Sequence, residues 1–195
     1  CCGAGELDLG VGTAEDLKKT QDGCREFAEW NLAQARNQGA KSIVYFCQWC
    51  FYLAKQYLPE EKQMGLLYYP DLLVERLDQL RELKPGLPPT SVGYFEGCHI
   101  RNITYAPDVD INLKSYRQLV EMIDGVEIVD LPKWKCCVVY RDEIVQEALT
   151  KGLDCIVTPC ASCWTHIIPR RRGLPIKLVQ SIVAEALGLA GGSPL

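Results

Sequence analysis

The chain has 195 residues, 48% of them hydrophobic and 24% charged, with a formal net charge of −4. That length supports one sizeable domain or two small ones with ample apolar residues for a core. No apolar run approaches the roughly 18 residues of a membrane span, and an acidic pI near 5.3 without a basic block argues against a nucleic-acid surface. The longest basic run, Arg170-Arg171-Arg172, is too short to alter that, and reads as a solvated or subunit-contacting patch.

The chain opens at Cys1, not Met, as expected of a trimmed or processed product. Cys1-Cys2-Gly3 and a Gly-rich stretch to Gly12 read as a loop. A helical pattern starts near Ala14, breaks at Asp22-Gly23, and resumes over Arg25 to Gln38 with Phe27, Trp30 and Ala35 turned inward. Gly39 caps it, and Ser42 to Phe46 follows as a short buried strand running into Cys47-Gln48-Trp49-Cys50. A helix over Phe51 to Tyr57 stops near Pro59. Pro70 to Leu83 reads as an amphipathic helix with Leu72, Leu73, Leu77, Leu80 and Leu83 on its apolar side. Lys84-Pro85-Gly86-Leu87-Pro88-Pro89 reads as a linker, because its prolines favour extended backbone.

Past the linker, Ser91 to Phe95 reads as a strand delivering Gly97-Cys98-His99. Leu113 to Ile123 is helical in pattern, and Val126 to Val129 alternates like a strand. Cys136-Cys137 precedes a helix over Asp142 to Lys151 capped by Gly152. The strand Cys155 to Thr158 then runs into Cys160-Ala161-Ser162-Cys163, and Ile176 to Leu189 reads as a long helix.

The two halves repeat. Gly39 to Cys50 matches Gly152 to Cys163 at a constant offset of 113, each placing a helix end, an Ile-Val strand core and a Cys-x-x-Cys at the same spacing. Each Cys-x-x-Cys also follows a Cys-Cys pair. Alternating strands and helices predict an α/β protein: two tandem, pseudo-symmetric small α/β units with short parallel sheets and cysteine-rich loops at strand ends. The boundaries expected are 1–84 for the first unit, 85–90 for the linker and 91–195 for the second.

Eleven Cys against two His means that any metal site is built mainly from thiolates. Intracellular cysteine clusters more often serve metal or redox chemistry than disulfides. Adjacent cysteines rarely both ligate one tetrahedral zinc, whereas a polynuclear cluster lets neighbouring thiolates reach different irons. Spacing alone favours iron–sulfur and leaves zinc, or free thiols and disulfides, open.

Cys1-Cys2-Gly3 with Cys47-x-x-Cys50, then Gly97-Cys98-His99, Cys136-Cys137 and Cys160-x-x-Cys163, resembles the cysteine-rich CCG domain in two copies, as in the catalytic B subunit of heterodisulfide reductase. The resemblance implies two noncubane [4Fe-4S] clusters that together cleave a disulfide reductively. Cys98, Cys136, Cys137, Cys160 and Cys163 would surround one, and Cys1, Cys2, Cys47 and Cys50 the other; one [4Fe-4S] cluster, or zinc, is the alternative loading. It further implies a small-molecule disulfide substrate, electron-donating iron–sulfur and flavin partner subunits, and a link to methanogenesis. The expected location is cytoplasmic, or at the membrane through partner subunits. The pattern departs from the family in three places: the first repeat lacks its leading Cys, Val138 stands where Gly follows the pair, and 22 residues separate Cys137 from Cys160 against 44 between Cys2 and Cys47.

Three function classes stay open at this point. One is the disulfide-reducing subunit. The second is an electron-transfer CCG subunit of another complex, of the lactate- or glycolate-oxidising, quinone-linked or sulfite-reduction-linked kind. The third is a zinc-stabilised interaction module. His99, beside Cys98, is the candidate proton donor to a leaving thiolate, with a supporting or ordinary loop histidine as the other reading. His166, Trp49 and Trp164 flank the Cys-x-x-Cys motifs, and Cys24 and Cys155 match no motif position.

Overall fold

The structure is a computed structural model and describes residues 14–59, 65–97, 113–132 and 135–189. The expected sites Cys1, Cys2, Cys98 and His99, together with the opening Gly-rich loop, lie outside the described residues. The chain is α/β with two short parallel sheets, and its described residues group into two compact units that divide between Tyr69 and Pro70.

In the first unit, α1 (Ala14–Asn37) is one unbroken helix that passes straight through Gly23. Its buried stripe is Cys24, Ala28 and Leu32, spaced i, i+4, i+8. That stripe compensates the roughly 1 kcal/mol that a mid-helix glycine costs. Phe27 and Trp30, expected inside, are 47% and 60% exposed because they fall off this stripe. Ala35, also expected inside, is only half-buried. β1 (Ile43–Tyr45) pairs in parallel with β2 (Leu66–Tyr68), a three-residue strand too short for periodicity to reveal. Between them α2 (Gln48–Tyr57) buries Phe51, Tyr52, Leu53 and Ala54.

The second unit opens with two short helices where one was expected, α3 (Tyr69–Val74), which straddles the division, and α4 (Leu77–Glu82); Leu83 is 64% exposed. The expected linker is corrected: Gly86 already belongs to β3 (Gly86–Tyr94). The prolines are tolerated there because residues 86–90 pair on one side only, with β4 (Asp124–Asp130), across an irregular register between Gly86 and Thr90. From Val92 onward the strand becomes central, flanked by β4 and by β5 (Cys155–Thr158).

β6 (Ile176–Leu178) completes the order β4-β3-β5-β6, all parallel. It occupies the start of what reads in sequence as a single helix, which begins only at Val179 as α8 (Val179–Ala186). The β-branched Ile176 fills the slot beside Ile156, and Ile156 N–H donates to the Pro175 carbonyl at 2.9 Å.

Helices cover both faces of this sheet. Ile156 and Ile176 face α6 (Arg141–Thr150) and α7 (Ala161–Ile167). Val92, Tyr94, Cys155 and Val157 face α4, α5 (Leu113–Glu121) and α8. Tyr116 Oη, on α5, donates to Asp71 Oδ1 at 2.5 Å and ties α3 to this layer. All four β5 residues are buried, as a parallel strand covered on both faces must be.

Candidate metal centre

The internal repeat is a repeat of backbone geometry. Gly39 and Gly152 both take positive φ, +73° and +66°, and close the same turn. Ala40 N–H donates to the Ala35 carbonyl at 3.0 Å, and Leu153 N–H to the Ala148 carbonyl at 3.1 Å. Cys47 (φ −99°, ψ 117°) and Cys160 (φ −105°, ψ 119°) then stand between strand and helix in the same extended conformation, each as the N-cap. Their carbonyls accept from Phe51 N–H at 3.1 Å and Trp164 N–H at 3.0 Å. The N-cap position ordinarily carries Ser, Thr, Asp or Asn, whose oxygen satisfies a helix-end N–H. Neither cysteine side chain makes that cap bond. A stabilising cap has been given up for a thiol, in both units, at the carboxyl end of a strand.

In the second unit the sheet itself marks the place. Strand order reverses between β3, which passes to β4, and β5, which lies on the other side of β3. Open α/β sheets bind ligands at such a switch point, beyond the carboxyl ends of the strands. β5 delivers Cys160 and α7 carries Cys163 one turn further; β3 ends four residues before Cys98 in the chain. Cys160 and Cys163 are both fully buried, and they share one cluster with Cys137, Phe95, Ile144, Val145 and Ile167. Thr158 Oγ1 accepts from Cys160 N–H at 3.4 Å and holds the strand–helix corner. Cys136 is half-buried, and its carbonyl accepts from Tyr140 N–H at 2.8 Å at the turn into α6. Val138, the residue in place of the family glycine, packs against the same cluster.

Cys47 and Cys50 are half-buried. Near them Phe51 stacks on Tyr68 with ring centroids 5.6 Å apart, and Gln48 Nε2 donates to Tyr52 Oη at 3.1 Å inside the core. Gln48, fully buried with Oε1 unpartnered, and Glu96, 5% exposed and two residues before Cys98, are polar groups bordering the motifs that residue patterns did not single out. A Gln four residues ahead of a Tyr inside a Cys-x-x-Cys helix was the available signal.

The flanking groups sort by contact. Trp164 indole N–H donates to the Ile176 carbonyl at 2.8 Å, so this ring is fixed to β6 and packs against the cysteine cluster. The Trp49 side chain lies outside the described residues. His166 is half-buried in the last turn of α7. Arg170 Nε lies 3.9 Å from Asp142 Oδ1, and Arg172 donates to Gln146 Oε1 at 2.8 Å, both at the exposed surface of α6. Cys155 lies in the opposite core layer, where burial pushes its thiol up to about 11, and Cys24 is part of the α1 stripe. Both are packing residues.

Among the described residues no group of three His, Cys, Asp or Glu is arranged to hold a metal ion by itself. Three of the nine expected ligands, Cys1, Cys2 and Cys98, lie outside those residues. The donors that are described are all thiols, and Cys137, Cys160 and Cys163 are set in apolar surroundings, which suits iron–sulfur in kind.

Residues 92–168 match the family profile of the cysteine-rich CCG domain. These residues form a CCG domain. The chain is homologous to the D subunit of dihydromethanophenazine:CoB–CoM heterodisulfide reductase, with 23% identity to the Methanosarcina mazei protein and 24% to that of Methanosarcina barkeri. Each alignment takes in 97% of this chain and 50% of the relative, so the chain spans about half the length of the curated relatives it matches. The motifs resembled the B subunit of heterodisulfide reductase, and the relatives matched here are D subunits. Among solved structures, arylmalonate decarboxylase aligns over 89% of this chain and 77% of its own at 11% identity, with a TM-score of 0.27. The CCG match covers the switch point, Cys98, the Cys136-Cys137 pair and the second Cys-x-x-Cys together.

Proposed function

We propose that this chain is an iron–sulfur subunit of a heterodisulfide-reductase-like complex, and that it takes part in reductive cleavage of a small-molecule disulfide to two thiols. The observation that carries this reading is the placing of thiols, in both repeats, at a helix N-cap directly after a parallel strand, within a chain homologous to heterodisulfide reductase subunits. Cys98, Cys136, Cys137, Cys160 and Cys163 would hold one four-iron cluster, and Cys1, Cys2, Cys47 and Cys50 a second. Such clusters supply and accept single electrons.

Cleaving one disulfide consumes two electrons and two protons and releases two thiols, which gives a duplicated site a role. Cys160, Cys163 and Cys137 are buried among apolar side chains, an environment that would exclude water from the second site. His99, next to Cys98, is the proposed proton donor to a leaving thiolate. The electrons would come from iron–sulfur and flavin subunits of the complex. No helix among the described residues is long and apolar enough to cross a membrane.

The test is iron, acid-labile sulfide and zinc content of anaerobically purified protein, followed by assay of thiol release from a disulfide with a reduced dye. About eight irons per chain are expected for two four-iron clusters, with Cys47→Ser and Cys160→Ser each removing about half. Zinc without iron overturns the reading. Iron without thiol release moves the chain to electron transfer in another redox complex.

A further inference from the structure

The turn that carries the Cys136-Cys137 pair presents apolar side chains to solvent. Val139 is 70% exposed and Tyr140 39% exposed, directly after the pair and the half-buried Val138. Nothing in the local fold asks for them. Tyr140 stands at the N-cap of α6 and makes no side-chain cap bond, in a position that Ser, Thr, Asp or Asn would stabilise by about 1 kcal/mol. The exposed tip is fixed to the backbone of a proposed ligand: the Cys136 carbonyl accepts from Val139 N–H at 3.1 Å and from Tyr140 N–H at 2.8 Å. Cys136 itself is half-buried, whereas Cys137, Cys160 and Cys163 are buried. Of the described thiols of the second site, Cys136 is the least covered.

Arginines frame this tip. Arg141 opens α6 directly after Tyr140, and Arg170, Arg171 and Arg172 are exposed. Arg170 Nε is 3.9 Å from Asp142 Oδ1, and Arg172 donates to Gln146 Oε1 at 2.8 Å, so the basic run lies along the first two turns of α6. The groove on the exposed side of α6 is balanced in charge, with Lys135 paired to Glu143 at 2.8 Å and Lys151 to Glu147 at 2.9 Å. With those pairs cancelled, four arginines stand against the one carboxylate of Asp142 among the described residues at this end of the helix. In a chain of net charge −4, that is a local reversal of sign.

We propose that Val139, Tyr140 and the arginines around them are the docking face for a one-electron donor, an iron–sulfur protein whose own centre is rimmed by acidic residues. The proposal rests on the iron–sulfur reading above and assigns the point at which its electrons enter. Tyrosine and arginine around an apolar tip match the composition that protein interfaces favour. A small-molecule substrate does not fit this face, because such ligands take concave sites that bury most of their surface, and Val139 is too exposed to line one. The sign of the charge selects an acidic partner, since complementary potentials steer the encounter and suppress wrong orientations. Each encounter passes one electron: the donor's centre is oxidised, the cluster held through Cys136 is reduced, and no bond is made or broken.

The test uses anaerobically purified protein of measured iron content and, as probe, an acidic plant-type ferredoxin. Binding is followed by titration calorimetry, and reduction by the reduced ferredoxin by stopped flow, both at rising salt. Binding and reduction are expected, each weakening steeply as salt screens the arginines. Arg170→Glu combined with Arg172→Glu, and separately Val139→Asp, are expected to weaken binding about ten-fold and to slow reduction by ferredoxin to match. Iron content and reduction by a small uncharged dye stay at the wild-type level. Gln at both arginine positions gives an intermediate loss, because it removes charge without reversing it. No binding by the wild type, unchanged binding in the charge-reversed protein, or ferredoxin reduction indifferent to salt each overturns the proposal. So does loss of iron from Val139→Asp, which would show the tip to be packed by this chain itself. Protein that holds no iron overturns the iron–sulfur reading and this proposal with it; full iron with binding unmoved by the variants overturns this proposal alone.

Discussion

Cys47 and Cys160 have nearly the same backbone angles and very different surroundings. Each is the N-cap of a helix entered from a parallel strand. Cys160 is fully buried, while Cys47 is half-buried on a two-stranded sheet. The comparison separates two things that a duplicated sequence encodes at different ranges. The corner itself is local, written in a glycine with positive φ, three or four strand residues and a cysteine in the cap position. The burial of the corner is not local, since it depends on Phe95 after β3, on Leu131 and Cys137, and on Ile144 and Val145 of α6, which lie up to several dozen residues away. A metal site that must exclude water therefore draws on distant sequence, even where its ligands sit in a twelve-residue motif.

Truncating matched strand residues gives the largest contrast. Ile156 is fully buried and faces the layer that holds Cys160 and Cys163. Ile156→Ala should cost about 2–5 kcal/mol through lost burial and the cavity left behind. Ile43, its counterpart, is half-buried, and Ile43→Ala should cost roughly half as much. Denaturant unfolding of the two variants measures both, and equal losses would mean that β1 is covered as fully as β5.

Cys155 and Ser42 form the next pair, and pH tells them apart. Burial raises the Cys155 thiol from 9.0 to about 11, so the folded state holds its proton more tightly than the unfolded chain. The resulting stability is fully present below pH 9, and is lost as pH rises through about 11, at roughly 1.4 kcal/mol per unit within that window. Cys155→Ala should flatten this alkaline slope, and Ser42→Ala should leave it unchanged. A slope that persists in Cys155→Ala would place the titration elsewhere.

Trp164 and Phe51 are also counterparts, and here the second unit has the extra bond. The Trp164 indole N–H donates to the Ile176 carbonyl at 2.8 Å, whereas Phe51 stacks on Tyr68 and has no such donor. Trp164→Phe makes the second corner resemble the first. It should cost about 1 kcal/mol, the usual net worth of one hydrogen bond, and should loosen β6 as read by exchange of the Ile176–Leu178 amides. Unchanged exchange there would show that the ring, and not its N–H, holds the strand.

How much of this was legible in the residues follows the same division of range. The strand Cys155 to Thr158 and the repeat at 113 were readable because each is contained in a short, strongly patterned stretch. The fold class followed from the alternation of such stretches. What failed needed tertiary partners. Asp22-Gly23 looked like a helix break, but Cys24, Ala28 and Leu32 hold α1 together across it. Phe27 and Trp30 were placed inside by size, and the buried stripe excludes them. Three prolines looked like a linker, yet β4 pairs with Gly86 and Thr90 on either side of Pro88 and Pro89. Ile176 to Leu178 looked helical, and the edge of β5 makes it a strand. At the site, the sequence named the thiols and their spacing. It could not show that Cys137 would share a core cluster with Cys160 and Cys163, since that depends on how β4 returns to the sheet.

The smallest contrast expected is none, and it tests the local half of the argument. Gly39 and Gly152 have positive φ of +73° and +66°, and a Cβ at either would meet nothing within 4 Å. Space therefore plays no part, and the cost of Gly→Ala is set by the left-handed backbone alone, about 1 kcal/mol at each position. The two variants should lose the same amount to within a few tenths, although one glycine leads into a partly exposed strand and the other into a buried one. If Gly152→Ala costs much more, the turn is under load from the sheet it feeds, and the corner is not as local as its dihedral angles make it look. If the costs match, the backbone that presents each cysteine is an autonomous unit, and the difference between the two sites lies wholly in what the rest of the chain packs around it.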